Sequence, residues 1–128
     1  MGIFGKSDKK SKRNNDTTII SNETVVKGGI ETQGSVFIDG KFEGVIVSKE
    51  NVVIGKSGEV LGEIRAKNLT VSGFIDGMFD IETISILSEG KVIGKIHYEE
   101  FIIEQNGIFE GEGKKRIQQQ SVNIIKLN

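Results

Sequence analysis

Cysteine and proline are both missing from the 128 residues. Without cysteine there is no disulfide framework and no thiolate metal site, which fits a reducing compartment. Without proline, the 17 glycines are not part of a disordered Pro/Gly-rich linker, so their placement carries structural meaning. No segment approaches the roughly 18 consecutive apolar residues of a membrane span. The opening Met-Gly-Ile-Phe-Gly-Lys-Ser-Asp-Lys-Lys also lacks the apolar centre of a secretory signal. A cytoplasmic location is the expectation. Histidine is reduced to His97, too few for a zinc site built on several histidines and the single candidate for the base an acyltransferase usually needs. No Gly-x-x-x-x-Gly-Lys-Ser/Thr phosphate loop occurs, so nucleotide-driven chemistry has no support.

Charge is unevenly spread. Residues 1–16 carry five bases against two acids, and residues 114–128 carry four bases and no acid. Residues 17–113 carry eight bases and sixteen acids, a net of −8 inside a chain of net −1. An acidic body is a poor nucleic-acid surface, because phosphate neutralisation needs a basic face. The basic tails remain suited to an anionic membrane or another acidic surface.

The body repeats itself. Gly-x-apolar-x-Gly-x-apolar recurs as Gly40-Lys-Phe42-Glu-Gly44-Val-Ile46, Gly58-Glu-Val60-Leu-Gly62-Glu-Ile64 and Gly73-Phe-Ile75-Asp-Gly77-Met-Phe79. Gly90-Lys-Val92-Ile-Gly94-Lys-Ile96 and Gly107-Ile-Phe109-Glu-Gly111-Glu-Gly113 follow, and Thr24-Val-Val26-Lys-Gly28-Gly-Ile30 is a degenerate first copy. Upstream of each full copy stands a second alternating pair, such as Val36 and Ile38 or Val52 and Ile54. Alternation of β-branched and aromatic residues broken by glycine is a strand pattern. Strands so short and one-sided gain stability only by stacking on the next repeat. The spacing therefore predicts an all-β fold: one β-solenoid of about six coils over 17–113, each strand stacked on its equivalent in the next repeat, flanked by disordered tails at 1–16 and 114–128. An antiparallel β-sandwich is the competing reading, but the repeated motif and the lack of flanked hairpin turns oppose it. Gly44, Gly62, Gly77, Gly94 and Gly111 are assigned to corners, where positive φ and close approach of coils favour glycine. At about 4.8 Å per stacked strand, six coils make a rod on the order of 29 Å long.

Terminal coils of a solenoid present unpaired edges unless something caps them. Ile20, Val26 and Ile30 at one end and Phe101, Ile103 and Phe109 at the other are the candidate contact residues for end-to-end assembly, which generates an open filament. Val122, Ile124, Ile125 and Leu127 offer an alternative, a tail folded back as a cap. No catalytic or metal-binding residue is assigned. His97 and the Glu99-Glu100 pair read as solvated surface.

These repeats, with Ile38-Asp39-Gly40-Lys-Phe42-Glu43-Gly44 and Val53-Ile54-Gly55-Lys-Ser57-Gly58-Glu59-Val60-Leu61-Gly62-Glu63-Ile64, resemble the bactofilins, a bacterial polymer-forming cytoskeletal family. The resemblance covers 17–113. It implies a single right-handed, three-sided parallel β-helix, with three short strands per coil, that polymerises end to end without nucleotide or other cofactor into filaments lacking polarity. It further implies a scaffold at the inner face of the cytoplasmic membrane, with cell-wall hydrolases or shape-determining membrane proteins as partners. In similar proteins a phenylalanine near the C-terminal end of the solenoid supports polymerisation, and Phe101 and Phe109 both match. Ile3 and Phe4 followed by Lys6, Lys9 and Lys10 form a candidate membrane anchor, the apolar pair inserting and the bases adding about 1 kcal/mol each near an anionic surface. Two rivals remain: a β-helical scaffold that does not polymerise, and a hexapeptide-repeat acyltransferase-like enzyme, whose six-residue register the sequence does not sustain.

Overall fold

A computed structural model describes residues 16–116. Ten strands and no helix make up this region: β1 (Thr17–Ile20), β2 (Val25–Thr32), β3 (Ser35–Ile38), β4 (Lys41–Ser48), β5 (Asn51–Ile54), β6 (Glu59–Val71), β7 (Phe74–Ile86), β8 (Lys91–Tyr98), β9 (Glu100–Ile103) and β10 (Ile108–Lys115). All pairings are parallel and link each repeat to the next. The chain thus forms a parallel β-solenoid of about six coils, with its axis across the strands.

Each coil has three sides. Side A contains β1, β3, β5, the end of β6, the end of β7, and β9. Sides B and C share one continuous strand in every coil, bent at a glycine. The expected three separate strands per coil are therefore two or one, because backbone pairing runs unbroken through the bend. Gly28, Gly44, Gly62, Gly77, Gly94 and Gly111 stack in register at this bend with φ between 129° and 150°. A Cβ on Gly62 would sit 2.0 Å from the Gly44 carbonyl oxygen, and the same clash recurs at each later coil. Gly28 has the same φ but meets nothing within 4 Å, because no coil lies beneath it.

Between sides A and B the chain turns in two ways. Coils one, three, five and six use four-residue turns closed by a backbone hydrogen bond, as from the Gly58 N–H to the Gly55 carbonyl at 2.8 Å. Coils two and four cross directly at Asp39-Gly40 and Ser72-Gly73. Variable corner length keeps the sides in register although the repeats differ in length.

Inward residues of the three sides fill the centre. Phe42, Ile46, Ile54, Ile64, Leu69, Ile75, Ile84 and Ile96 are at most 1 % exposed. Apolar area removed from water at about 25 cal/mol per Å² makes this column the main stabilising term. Ser48 is the one buried polar side chain among the described residues. Its hydroxyl donates to the Gly34 carbonyl at 2.7 Å and accepts from the Glu50 N–H at 3.0 Å, so the corner between sides C and A leaves it satisfied.

Candidate polymerisation interface

Sealing fails at the two ends. Among the described residues β1 pairs only with β3 and β2 only with β4, so their outer backbone edges carry no partner; β9 and β10 leave the opposite edges open in the same way. Inward columns that are closed by neighbours in the middle coils end here in half-buried side chains. At the N-terminal end these are Val26 and Ile30. At the C-terminal end they are Phe101 and Phe109, beside Ile103, which is 45 % exposed.

Register explains the aromatic cluster. Phe101 stacks over Ile84 and Phe109 over Val92, so both rings point along inward columns whose next member is absent. They meet edge to face, with centroids 5.4 Å apart, and Tyr98 adds a second edge contact to Phe101 at 5.2 Å. Such pairs contribute about 0.5–1.5 kcal/mol beyond their area burial. Gly113 takes the place in its column that Ile96 holds one coil below. A Cβ there would lie 3.1 Å from the Tyr98 ring, so the glycine leaves room for it.

The expected end residues are therefore divided. Phe101, Ile103 and Phe109 converge on one terminal cross-section, while Val26 and Ile30 lie on the other. Ile20, expected with the latter pair, is only 6 % exposed and belongs to the closed core. Alternation also turns Ile19 and Val25 outward to the sides, at 63 % and 61 % exposure, and not toward the end.

A second correction concerns the C-terminal tail. Lys114 and Lys115, assigned to a flexible segment, continue β10 by pairing with His97 and Tyr98. Arg116 then crosses two coils, ion-paired with Asp80 and, at 3.2 Å, with Glu99. Partial burial works against its charge, but the hydrogen bonds and attraction of Asp80 and then Glu99 outweigh that and raise its pKa. Nothing in the local sequence announces this contact, since Asp80 is 36 residues away. Tyr98 was also missed, although its two-residue spacing from Ile96 marks it as inward-facing.

His97 is exposed on β8. Among the described residues no group of three or more His, Cys, Asp or Glu is placed to hold a metal ion. Ile3, Phe4, Lys6, Lys9 and Lys10, and the apolar residues after 121, lie outside the described residues.

A regular solenoid with apolar, unpaired ends is a structural module whose distinctive surfaces are those two ends. Comparison with known proteins supports this class and specifies it. The family described as "Bactofilin: Polymer-forming cytoskeletal" matches residues 18–114. The chain belongs to the bactofilin family. It is 25 % identical over 99 residues to bactofilin BacP of Myxococcus xanthus, an alignment covering 77 % of this chain and 41 % of BacP. This chain thus corresponds to about two-fifths of that relative's length. Among solved structures, the cryo-EM reconstruction of Thermus thermophilus bactofilin double helical filaments superposes with a TM-score of 0.70 at 21 % identity, covering 77 % of this chain and 99 % of that one. A crystal structure of a phenylalanine-to-arginine mutant of the same bactofilin gives 0.66 at 20 % identity, covering 70 % and 100 % respectively. At these identities the structural likeness speaks for the fold.

Proposed function

We propose that this bactofilin is a cytoskeletal scaffold that assembles end to end, without nucleotide, through its first and last coils. The carrying observation is the contrast between the closed middle coils and the terminal ones, where Val26, Ile30, Phe101, Ile103 and Phe109 meet no further coil. Docking a second copy on either end extends the sheets and removes these side chains from water together, which makes association cooperative. Filament structures of a Thermus thermophilus relative support the reading and support a second level of assembly in which filaments pair.

Ile3 and Phe4, with Lys6, Lys9 and Lys10, attach the filament to the inner face of the cytoplasmic membrane in this reading. Each anchor is weak alone, and many on one filament act by avidity. The sides of the attached rod then position cell-wall hydrolases or shape-determining membrane proteins.

Electron microscopy and sedimentation of the full chain beside Phe101→Arg and Phe109→Arg test the assembly. Filaments are expected from the wild type and lost in at least one variant, since an unpartnered charge buried at the contact costs about 3–5 kcal/mol. A uniformly monomeric wild type refutes end-to-end assembly. Deletion of residues 2–5 tests the anchor, and unchanged co-sedimentation with anionic vesicles refutes it.

A further inference from the structure

The three sides of the solenoid differ in how many charged groups they carry. Each has twelve outward positions, two per coil, and on side A these are 17 and 19, 35 and 37, 51 and 53, 68 and 70, 83 and 85, and 100 and 102. Only Glu100 among them is charged, whereas sides B and C carry seven charges each at their equivalent positions. Each side nets −1, so side A is set apart by having almost no charged groups and not by its net charge. Side A consists of two ladders. One is polar: Thr17, Ser35, Asn51, Asn68, Thr83 and Glu100. The other runs from apolar to hydroxyl and back: Ile19, Phe37, Val53, Thr70, Ser85 and Ile102. The Asn68 amide donates to the Asn51 carbonyl oxygen at 2.7 Å, so the polar ladder is knit along the solenoid axis.

We infer that side A is the lateral interface by which two filaments of this chain pair, each subunit meeting a second copy through the same face. The proposal rests on the end-to-end assembly above. Three physical features select a second copy as the occupant. A strip almost free of charge lets two copies meet without desolvating charged groups, whereas sides B and C would each bury three bases and four acids. Asparagine amides and threonine hydroxyls carry both donors and acceptors, so the strip complements itself. Its area also suits a contact made only in polymers. At about 3.3 Å per residue and 4.8 Å per strand, side A measures about 13 Å by 29 Å. Two such faces bury well under the roughly 1,200 Å² of a stable complex, so monomers do not pair. Joined subunits repeat the contact along the filament, and the total passes that threshold within a few subunits.

The rim predicts a salt effect of definite sign. Corners flanking side A, at 21–24, 39–40, 55–58, 72–73, 87–90 and 104–107 on one edge and 16, 33–34, 49–50, 67, 82, 99 and 116 on the other, carry eight acids and four bases, with Arg116 paired to Glu99. Two copies meeting through side A bring these acidic rims together. Screening weakens that repulsion as the Debye length falls from about 30 Å at 0.01 M to about 8 Å at 0.15 M salt.

Electron microscopy of the full chain tests the proposal. Wild-type filaments are expected two solenoids wide, with the paired fraction rising severalfold between 0.01 M and 0.15 M salt. Phe37→Lys with Thr70→Lys places two charges on side A, and filaments one solenoid wide are expected. Val45→Lys with Met78→Lys adds the same charge to side C and should leave pairs intact. Single wild-type filaments, persistent pairing in the side A variant, or pairing that falls as salt rises each overturn the assignment while leaving end-to-end assembly standing. Absence of any wild-type filament overturns both. Intact filaments in each variant report that its solenoid is folded. Should the double variant form none, Thr70→Lys alone, which keeps the Phe37 ring, decides by the same widths.

Discussion

The glycine column allows strain and stacking to be separated with two substitutions. Gly62→Ala places a methyl group 2.0 Å from the Gly44 carbonyl oxygen, where an ordinary contact begins near 3.4 Å. The coils must part by more than an ångström at that point, which breaks two or three ladder hydrogen bonds of about 1 kcal/mol net each. Alanine at φ +139 adds about 1–3 kcal/mol of backbone strain, giving a cost of about 4 kcal/mol, a large part of the 5–15 kcal/mol typical of a domain. Gly28→Ala carries the same strain, at φ +140, with nothing within 4 Å to strike. In whichever of the Phe101→Arg and Phe109→Arg backgrounds is monomeric it should cost only that strain, about 1–3 kcal/mol, and the gap between the variants should appear as about 10 °C or more in melting temperature. Equal melting temperatures would show that strain alone governs the column and that the stacking clash is relieved cheaply. The wild-type background asks a further question of Gly28. Once a second copy covers the first coil, the added methyl lies where its backbone approaches, so Gly28→Ala should form no filaments despite near-normal stability, stopping at a dimer where like ends meet. Normal filaments from Gly28→Ala would place the first coil outside the contact.

Other outcomes follow from single contacts. Ser48→Ala removes a hydroxyl that satisfies both the Gly34 carbonyl and the Glu50 N–H, and should lower stability by about 1–3 kcal/mol in urea titrations. Phe42→Ala empties a site that is 1 % exposed and should cost about 3–5 kcal/mol, measured in the same way. Arg116→Ala breaks two ion pairs whose side chains are 33–46 % exposed, so global stability should change by less than about 1 kcal/mol. Faster hydrogen exchange at 112–115, with the rest of the chain unaffected, is the expected signature.

The middle of the fold was legible because each of its features repeats. Gly44 to Gly111 mark the bend, the alternating pairs mark the core, and the extra residues between Ile54 and Gly58 mark a longer corner than at Asp39-Gly40. The ends were harder to read because they depend on what a repeat lacks. Ile20 looks like Ile38 in sequence, and only its 6 % exposure shows it enclosed. Residues 114–116 carry no alternating apolar pattern, so they read as tail; they are held instead by the edge of β8 and by the carboxylates of Glu99, one coil below, and Asp80, two coils below. The scarcity of charge on side A also escaped notice, since its residues are scattered over the chain at intervals of about 17 and gather only when the coils stack.

Stacking of near-identical coils also shapes how the molecule comes apart. Apart from the Arg116–Asp80 ion pair, each coil touches only its neighbours, so its stability is close to the sum of its own term and two interfaces, and a terminal coil has one interface fewer. Opening then proceeds from the outside inward, like a column of coins losing its top and bottom. Joining a second molecule converts a terminal coil into an interior one, so assembly suppresses the motion most costly to the monomer. A filament of such units is most vulnerable at its tips and at breaks, and its resistance to proteolysis should grow with its length.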